Sequence, residues 1–410
     1  MKTIQLITLL ILSSLPSLAQ DTTKVLFIGN SITYFNGMPQ TFEAIANSQG
    51  DPTEVTMYAP GGTGFIHHVN DANVYNHFQT GIWDYIVLQP GSNESPGYSE
   101  PIEATLERAR ILKDSALFYN PCAKILFYEI SYGVWGSTAA NLDTYNTTMD
   151  LIRGNLEYLA DSTELFFAPA GEAMRTAWND DTSTLLWGGT GDIHPNAKGS
   201  YIIACSFYAS IFQKPSFGTT EISSLTPQEA SAYQELADTT VLNYLSDWRI
   251  NTYHQFTDFD YALTGLTVDF QNASQNIDSL TWNFGDGTVS QTVSPSHTYA
   301  TSGTYTVVLT TFKDGCMETK TVSLPVAVTS VEEIPLTENV SIYPNPFAEV
   351  LFVESNAIST IELCDVLGRS FISEIDVLKT NIGFELHTEK LPKGTYLLIT
   401  DRGSHLLQKN

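Results

Sequence analysis

Short, continuous apolar runs alternate with longer amphipathic stretches between Lys24 and about Trp248. The runs are Val25-Leu26-Phe27-Ile28, Tyr85-Ile86-Val87-Leu88, Ile125-Leu126-Phe127-Tyr128 and Leu165-Phe166-Phe167-Ala168. Each lacks the apolar/polar alternation of a half-exposed strand, so each reads as a strand buried on both faces, as in a parallel sheet covered by helices. Between them, Met38 to Ser48, Pro101 to Phe118, Leu142 to Leu159 and Ala197 to Phe212 read as helices. This order predicts a three-layer α/β/α domain over residues 24–250. In such a sheet, ligands bind beyond the carboxyl ends of the strands. Each run leads straight into a polar loop there.

From about Gln255 helical spacing disappears, and Thr, Val, Ser and Tyr recur with regular turn signals. Trp282-Asn283-Phe284-Gly285-Asp286-Gly287-Thr288 precedes Pro295-Ser296-His297-Thr298-Tyr299 and then Gly303-Thr304-Tyr305-Thr306-Val307. Gly285 and Gly287 suit a tight hairpin turn, and Trp282, Tyr299 and Tyr305 suit a sandwich core. The segment 255–327 resembles a PKD domain, an immunoglobulin-like β-sandwich. In that pattern His297 belongs to the fold, and Asp286 reads as a turn residue rather than a calcium ligand.

Residues 328–338 read as a linker. Beyond it come Tyr343-Pro344-Asn345-Pro346-Phe347, Ile361-Glu362-Leu363-Cys364-Asp365-Val366-Leu367-Gly368-Arg369 and Leu391-Pro392-Lys393-Gly394-Thr395-Tyr396. In that order they resemble the C-terminal sorting domain of the Bacteroidetes type IX secretion system, here over 339–410. The resemblance implies a second sandwich, export across the outer membrane, and the secretion machinery as partner.

Residues 1–19 read as a signal peptide: Lys2 supplies the charge, Ile4 to Leu12 the apolar run, and Ser17-Leu18-Ala19 the small residues for cleavage. That run is too short to span a bilayer, and no other stretch approaches the ~20 apolar residues required. Forty-five acidic residues against nineteen basic ones give a formal charge of −26. Such a surface repels phosphate backbones and anionic headgroups, which argues against nucleic acid or a membrane surface as partner. Four cysteines in 410 residues make no disulfide framework. A Cys122–Cys205 bridge and a pair of buried thiols both remain open.

The chain contains no G-x-S-x-G elbow, no phosphate-cradling G-x-x-x-x-G-K-[ST] and no H-E-x-x-H helix. It carries instead Gly29-Asn30-Ser31 after the first run, Gly61-Gly62-Thr63-Gly64 in the next block, Gly91-Ser92-Asn93-Glu94 after Leu88, and Asp192-Ile193-His194-Pro195. In order and spacing these blocks resemble the SGNH/GDSL hydrolase superfamily over residues 24 to about 215. The resemblance implies a flavodoxin-like three-layer fold and catalysis without metal or organic cofactor. It implies Ser31 as nucleophile and His194 as base. It assigns the oxyanion to the backbone N–H of Ser31, an N–H at Gly62 or Gly64, and the Asn93 side chain, with Gln89 as the alternative donor. His67 and His68 are expected in a loop lining or flanking the cleft. One position departs from the pattern, which places Asp three residues before His. Here that residue is Gly191, and the nearest acid is Asp192, two before His194. Asp192 is one candidate for the triad acid; Asp180, Asp181, a backbone carbonyl, or a Ser–His dyad are the others.

The reading that follows is a secreted serine esterase working through an acyl-serine, with an acylated small molecule or polysaccharide as substrate and acetylated carbohydrate as first choice. Its rival is a non-catalytic carbohydrate-binding or adhesion protein built on an inactive hydrolase domain.

Overall fold

The computed structural model describes residues 22–327, 340–355, 358–365, 369–400 and 403–409. The expected signal peptide and residues 328–338 lie outside the described residues.

The α/β domain begins with β1 (Thr23–Ile28), the one-turn helix α1 (Ser31–Tyr34), α2 (Met38–Ser48) and β2 (Thr53–Tyr58). Then follow α3 (Phe65–His68), α4 (Ala72–Thr80), β3 (Tyr85–Leu88), α5 (Ile102–Tyr119), β4 (Lys124–Tyr128) and α6 (Ala139–Thr163). It closes with β5 (Phe166–Ala168), α7 (Ala170–Asp180), α8 (Ala197–Phe212) and α9 (Pro227–Leu242). The five strands form one parallel sheet in the order β2-β1-β3-β4-β5. This is the flavodoxin-like order, whose switch point lies between β1 and β3. Val25 through Ile28 are fully buried, as a strand covered on both faces must be. Phe27 meets Phe42 of α2 and Phe207 of α8 edge-on, at 6.0 and 5.1 Å between ring centroids. Helix α8 is buried continuously from Gly199 to Ile211, so it is a core element rather than an amphipathic cover.

Strand β2 is the element that continuous apolar runs do not announce. It lies at the sheet edge, paired on one side only, and its residues after Thr53 are partly or fully exposed. Glu54 and Thr56 therefore interrupt Val55 and Met57 without cost.

The same compact unit includes the following β-sandwich, with a three-stranded sheet over Phe259–Thr264, Thr267–Asn272 and Ser296–Thr298 facing a four-stranded one. Trp282 and Tyr299 are buried in its core, while Tyr305 is half-buried and stacks on Tyr299 at 3.9 Å. His297 stacks on Phe284 and bonds Asp286, whose other oxygen takes the Thr288 N–H. Both residues serve the turn.

Neither thiol expectation describes the cysteines. Cys122, in the loop before β4, is joined to Cys316 in the sandwich, 194 residues away, while Cys205 and Cys364 are buried free thiols. Cys205 belongs to the buried helix α8, and burial pushes its thiol up to about 12. Beside the disulfide, Lys124 Nζ lies 2.6 Å from Glu318.

The second unit holds the C-terminal sandwich, with antiparallel sheets of four and three strands. Its core includes Phe347, Leu351, Val353, Leu363, Leu386, Leu398 and Leu407. Among the described residues no helix is long and apolar enough to cross a membrane.

Candidate active site

The loops after β1 and β3 meet at the switch point, and there Ser31 begins α1. Asn30 is its N-cap: the side-chain oxygen accepts the Ile32 N–H at 2.9 Å, while Nδ2 donates to Thr63 O at 2.8 Å. One asparagine thus caps the helix and holds the next loop beside it. No hydrogen bond within the protein engages the Ser31 N–H among the described residues.

His194 approaches from the loop before α8. Its Nε2 lies 2.9 Å from Ser31 Oγ, and its Nδ1 lies 2.7 Å from Asp192 Oδ1. An ionised carboxylate can only accept, so the proton sits on Nδ1 and Nε2 is left to accept from the Ser31 hydroxyl. The backbone N–H of His194 and then its ring hold the Asp192 carboxyl below the usual carboxylate range, against the opposing pull of partial burial. The Phe35 ring stacks on the imidazole with centroids 4.2 Å apart. Asn36 Nδ2 donates to Pro195 O at 2.7 Å, and Ser200 Oγ donates to Phe35 O at 3.2 Å. The serine loop and the histidine loop are therefore tied on both sides of the Ser31–His194 contact.

The two-residue offset of Asp192 is absorbed by local glycines. Gly191 has φ +76°, and a side chain there would fall within 2.9 Å of the Trp135 ring; at Gly188 a Cβ would strike the Asp192 carboxylate itself. Asp181 is occupied with Ser183 and Thr184.

Ser31, Gly62, Gly64, Asn93 and His194 line one cleft of about 450 Å³. Asn93 is exposed in it, and its backbone carbonyl accepts from Tyr98 and Ser99, which fixes the loop. Gly64 N–H donates to His67 Nδ1 at 3.2 Å, so that donor is engaged, whereas Gly62 at φ +72° is exposed in the cleft. Gln89 does not reach the cleft. It is buried, its oxygen accepts from Asn30 N and Thr33 Oγ1, and its amide donates to Pro90 O. His67 and His68 form the end of α3 rather than an irregular loop; His67 lines the cleft, while His68 is buried, which pushes its pKa down. No group of three metal-ligating side chains occurs among the described residues.

Three contributors escaped sequence reasoning. Phe35 and Asn36 carried no motif, although Asn36-Gly37 is a turn dipeptide and Asn36 has φ +52°. Glu94 ends the Gly91-Ser92-Asn93-Glu94 block, where the resemblance gives it no role, yet its carboxylate bonds three backbone N–H groups.

Residues 260–328 match the PKD domain family, and residues 341–410 match the secretion system C-terminal sorting domain. No curated protein matches the chain. Among solved structures, a DUF4886 family protein from Bacteroides uniformis is 18% identical, with 54% of this chain and 95% of that one covered at a TM-score of 0.46. A candidate SGNH hydrolase from Slackia heliotrinireducens is 21% identical, covering 46% and 98% at a TM-score of 0.38. The PKD1 domain of the Vibrio cholerae metalloprotease PrtV is 33% identical, covering 18% and 96% at a TM-score of 0.18. The chain is a flavodoxin-like α/β domain followed by a PKD domain and a type IX secretion C-terminal sorting domain, which directs it to the cell surface or beyond.

Proposed function

We propose that the α/β domain is a serine esterase that hydrolyses acyl esters through an acyl-Ser31 intermediate. The observation that carries this reading is the unbroken chain Ser31 Oγ, His194 Nε2, His194 Nδ1, Asp192 Oδ1, with contacts of 2.9 and 2.7 Å. Nε2 takes the Ser31 proton as Oγ attacks the ester carbonyl, and returns it to the departing alkoxide. Water then attacks the acyl-serine by the same proton relay and regenerates Ser31. The developing oxyanion is received by the Ser31 N–H, the Gly62 N–H and the Asn93 side-chain amide. Asp192 holds the imidazole in the needed tautomer and stabilises it when it becomes charged.

For the substrate we propose an acetylated carbohydrate, whose sugar hydroxyl is the alcohol released. Export and the attached PKD domain suit an extracellular polymer, and a formal charge of −26 disfavours polyanionic substrates. A fluorophosphonate probe tests the nucleophile without knowledge of the substrate: it should add one equivalent at Ser31, and far more slowly in His194→Ala. Labelling elsewhere, or none, would remove Ser31 from the role.

A further inference from the structure

Glu94 is 4% exposed, and its carboxylate gathers backbone N–H groups from two separate loops. Oε2 accepts from Gly91 at 2.7 Å and from Phe65 at 2.7 Å; Oε1 accepts from Ile66 at 2.8 Å. Gly91 opens the loop that carries Asn93. Phe65 and Ile66 open α3, directly after Gly62-Thr63-Gly64. The two loops touch: a Cβ on Gly64 would lie 2.7 Å from Gly91 Cα and closer still to the carboxylate. Arg108, from α5, stands 3.5 Å from Oε1 and supplies a countercharge, and the same guanidinium donates to the Glu100 carboxylate.

Capping of α3 alone does not account for this arrangement. A four-residue helix offers little to stabilise, and the Gly91 bond lies outside it. The carboxylate also joins the two segments that supply the side-chain and backbone donors of the cleft. We propose that Glu94 is the positioning residue that assembles the oxyanion site, locking the Asn93 loop to the Gly62–Gly64 loop; the catalytic consequence rests on the esterase reading above. Three N–H groups meeting one ionised carboxylate form short, strong, charge-assisted bonds. An amide in its place offers one acceptor oxygen and turns N–H donors toward at least one of the same three groups.

The test is Glu94→Gln in the full chain, read in two ways. Hydrogen exchange of peptides covering 61–68 and 89–95 should speed up in both loops together, with exchange across α8 unchanged. On an aryl acetate, kcat should fall about a hundredfold, as for loss of one oxyanion donor, with KM within threefold. In an Asn93→Ala background the same substitution should cost much less, because the two changes remove one function. If Glu94→Gln does not fold, Glu94→Asp keeps the charge but shortens the reach by a methylene, and the same two readouts apply. Unchanged exchange in either loop would overturn the joint. Faster exchange with kcat within threefold of wild type, or full additivity with Asn93→Ala, would overturn its catalytic meaning. An inactive wild type would sink the esterase reading alone, leaving exchange to decide the joint.

Discussion

One oxygen of Asp192 serves His194 twice, accepting its backbone N–H at 2.9 Å and standing 2.7 Å from its ring Nδ1. The backbone bond closes a tight turn that aims the carboxylate at the ring. An acid two residues before the histidine thereby reaches the ring, the position from which we propose it acts as the triad acid. The turn needs Gly191 in the left-handed region and a bare Gly188 beside the carboxylate.

Asp192→Asn tests that geometry. An amide can present N–H to Nδ1 and so favour the wrong tautomer, a change worth up to about 10⁴ in turnover where it has been made in a triad. We expect kcat for an aryl acetate to fall at least a hundredfold, with folding intact by circular dichroism. A variant within threefold of wild type would exclude Asp192 as the triad acid.

The depressed pKa of Asp192 has a consequence for stability. A carboxyl whose folded pKa lies below its unfolded value of about 3.9 stabilises the fold above that pH, and the benefit is lost as pH falls through the folded value. Wild type should therefore melt above Asp192→Asn at pH 6, and the gap should narrow below about pH 4. A gap that widens on acidification would contradict the assignment of the shift to native contacts.

Cys122–Cys316 closes a chain segment of 194 residues, for which loop-closure entropy gives about 5 kcal/mol. Cys122 precedes β4 at the amino ends of the strands, whereas the cleft lies at the carboxyl ends. Replacing both cysteines by serine should lower resistance to denaturant markedly and leave aryl acetate turnover within twofold. A large loss of turnover in the folded variant would show that the sandwich influences the cleft.

How much of this could be read from the chain follows from where each signal resides. Strands β1, β3, β4 and β5 announce themselves because burial on both faces leaves a continuous apolar run. Edge strand β2 does not, since one free side admits Glu54 and Thr56. Ser31, His194 and the cleft position of Asn93 follow from local blocks in order. The choice between Asn93 and Gln89 depends on which amide is already bonded, and Gln89 is consumed by Asn30 and Thr33. Whether Asp192 reaches its ring is a matter of one backbone torsion at Gly191. The Cys122–Cys316 pairing requires two domains to be docked, and no local pattern encodes that.

We propose a domain boundary between the PKD segment and residue 339. The C-terminal sandwich has its own core around Leu351, Leu386 and Leu398. A chain ending at Leu336 should stay soluble and keep aryl acetate turnover within twofold, while losing export from the native host. Unfolding of the α/β domain on truncation would place the boundary elsewhere.

The central claim is that Ser31 attacks an acyl ester with His194 as its base, and the most direct measurement is release of nitrophenol from an aryl acetate by wild type and Ser31→Ala. Loss of the serine of a triad costs about 10⁶ in turnover, so Ser31→Ala should fall to background while its melting temperature stays close to wild type. Turnover by Ser31→Ala at a tenth of the wild-type rate would place the nucleophile elsewhere. A wild type that hydrolyses no simple ester would leave the α/β domain as a carbohydrate-binding surface instead of an esterase.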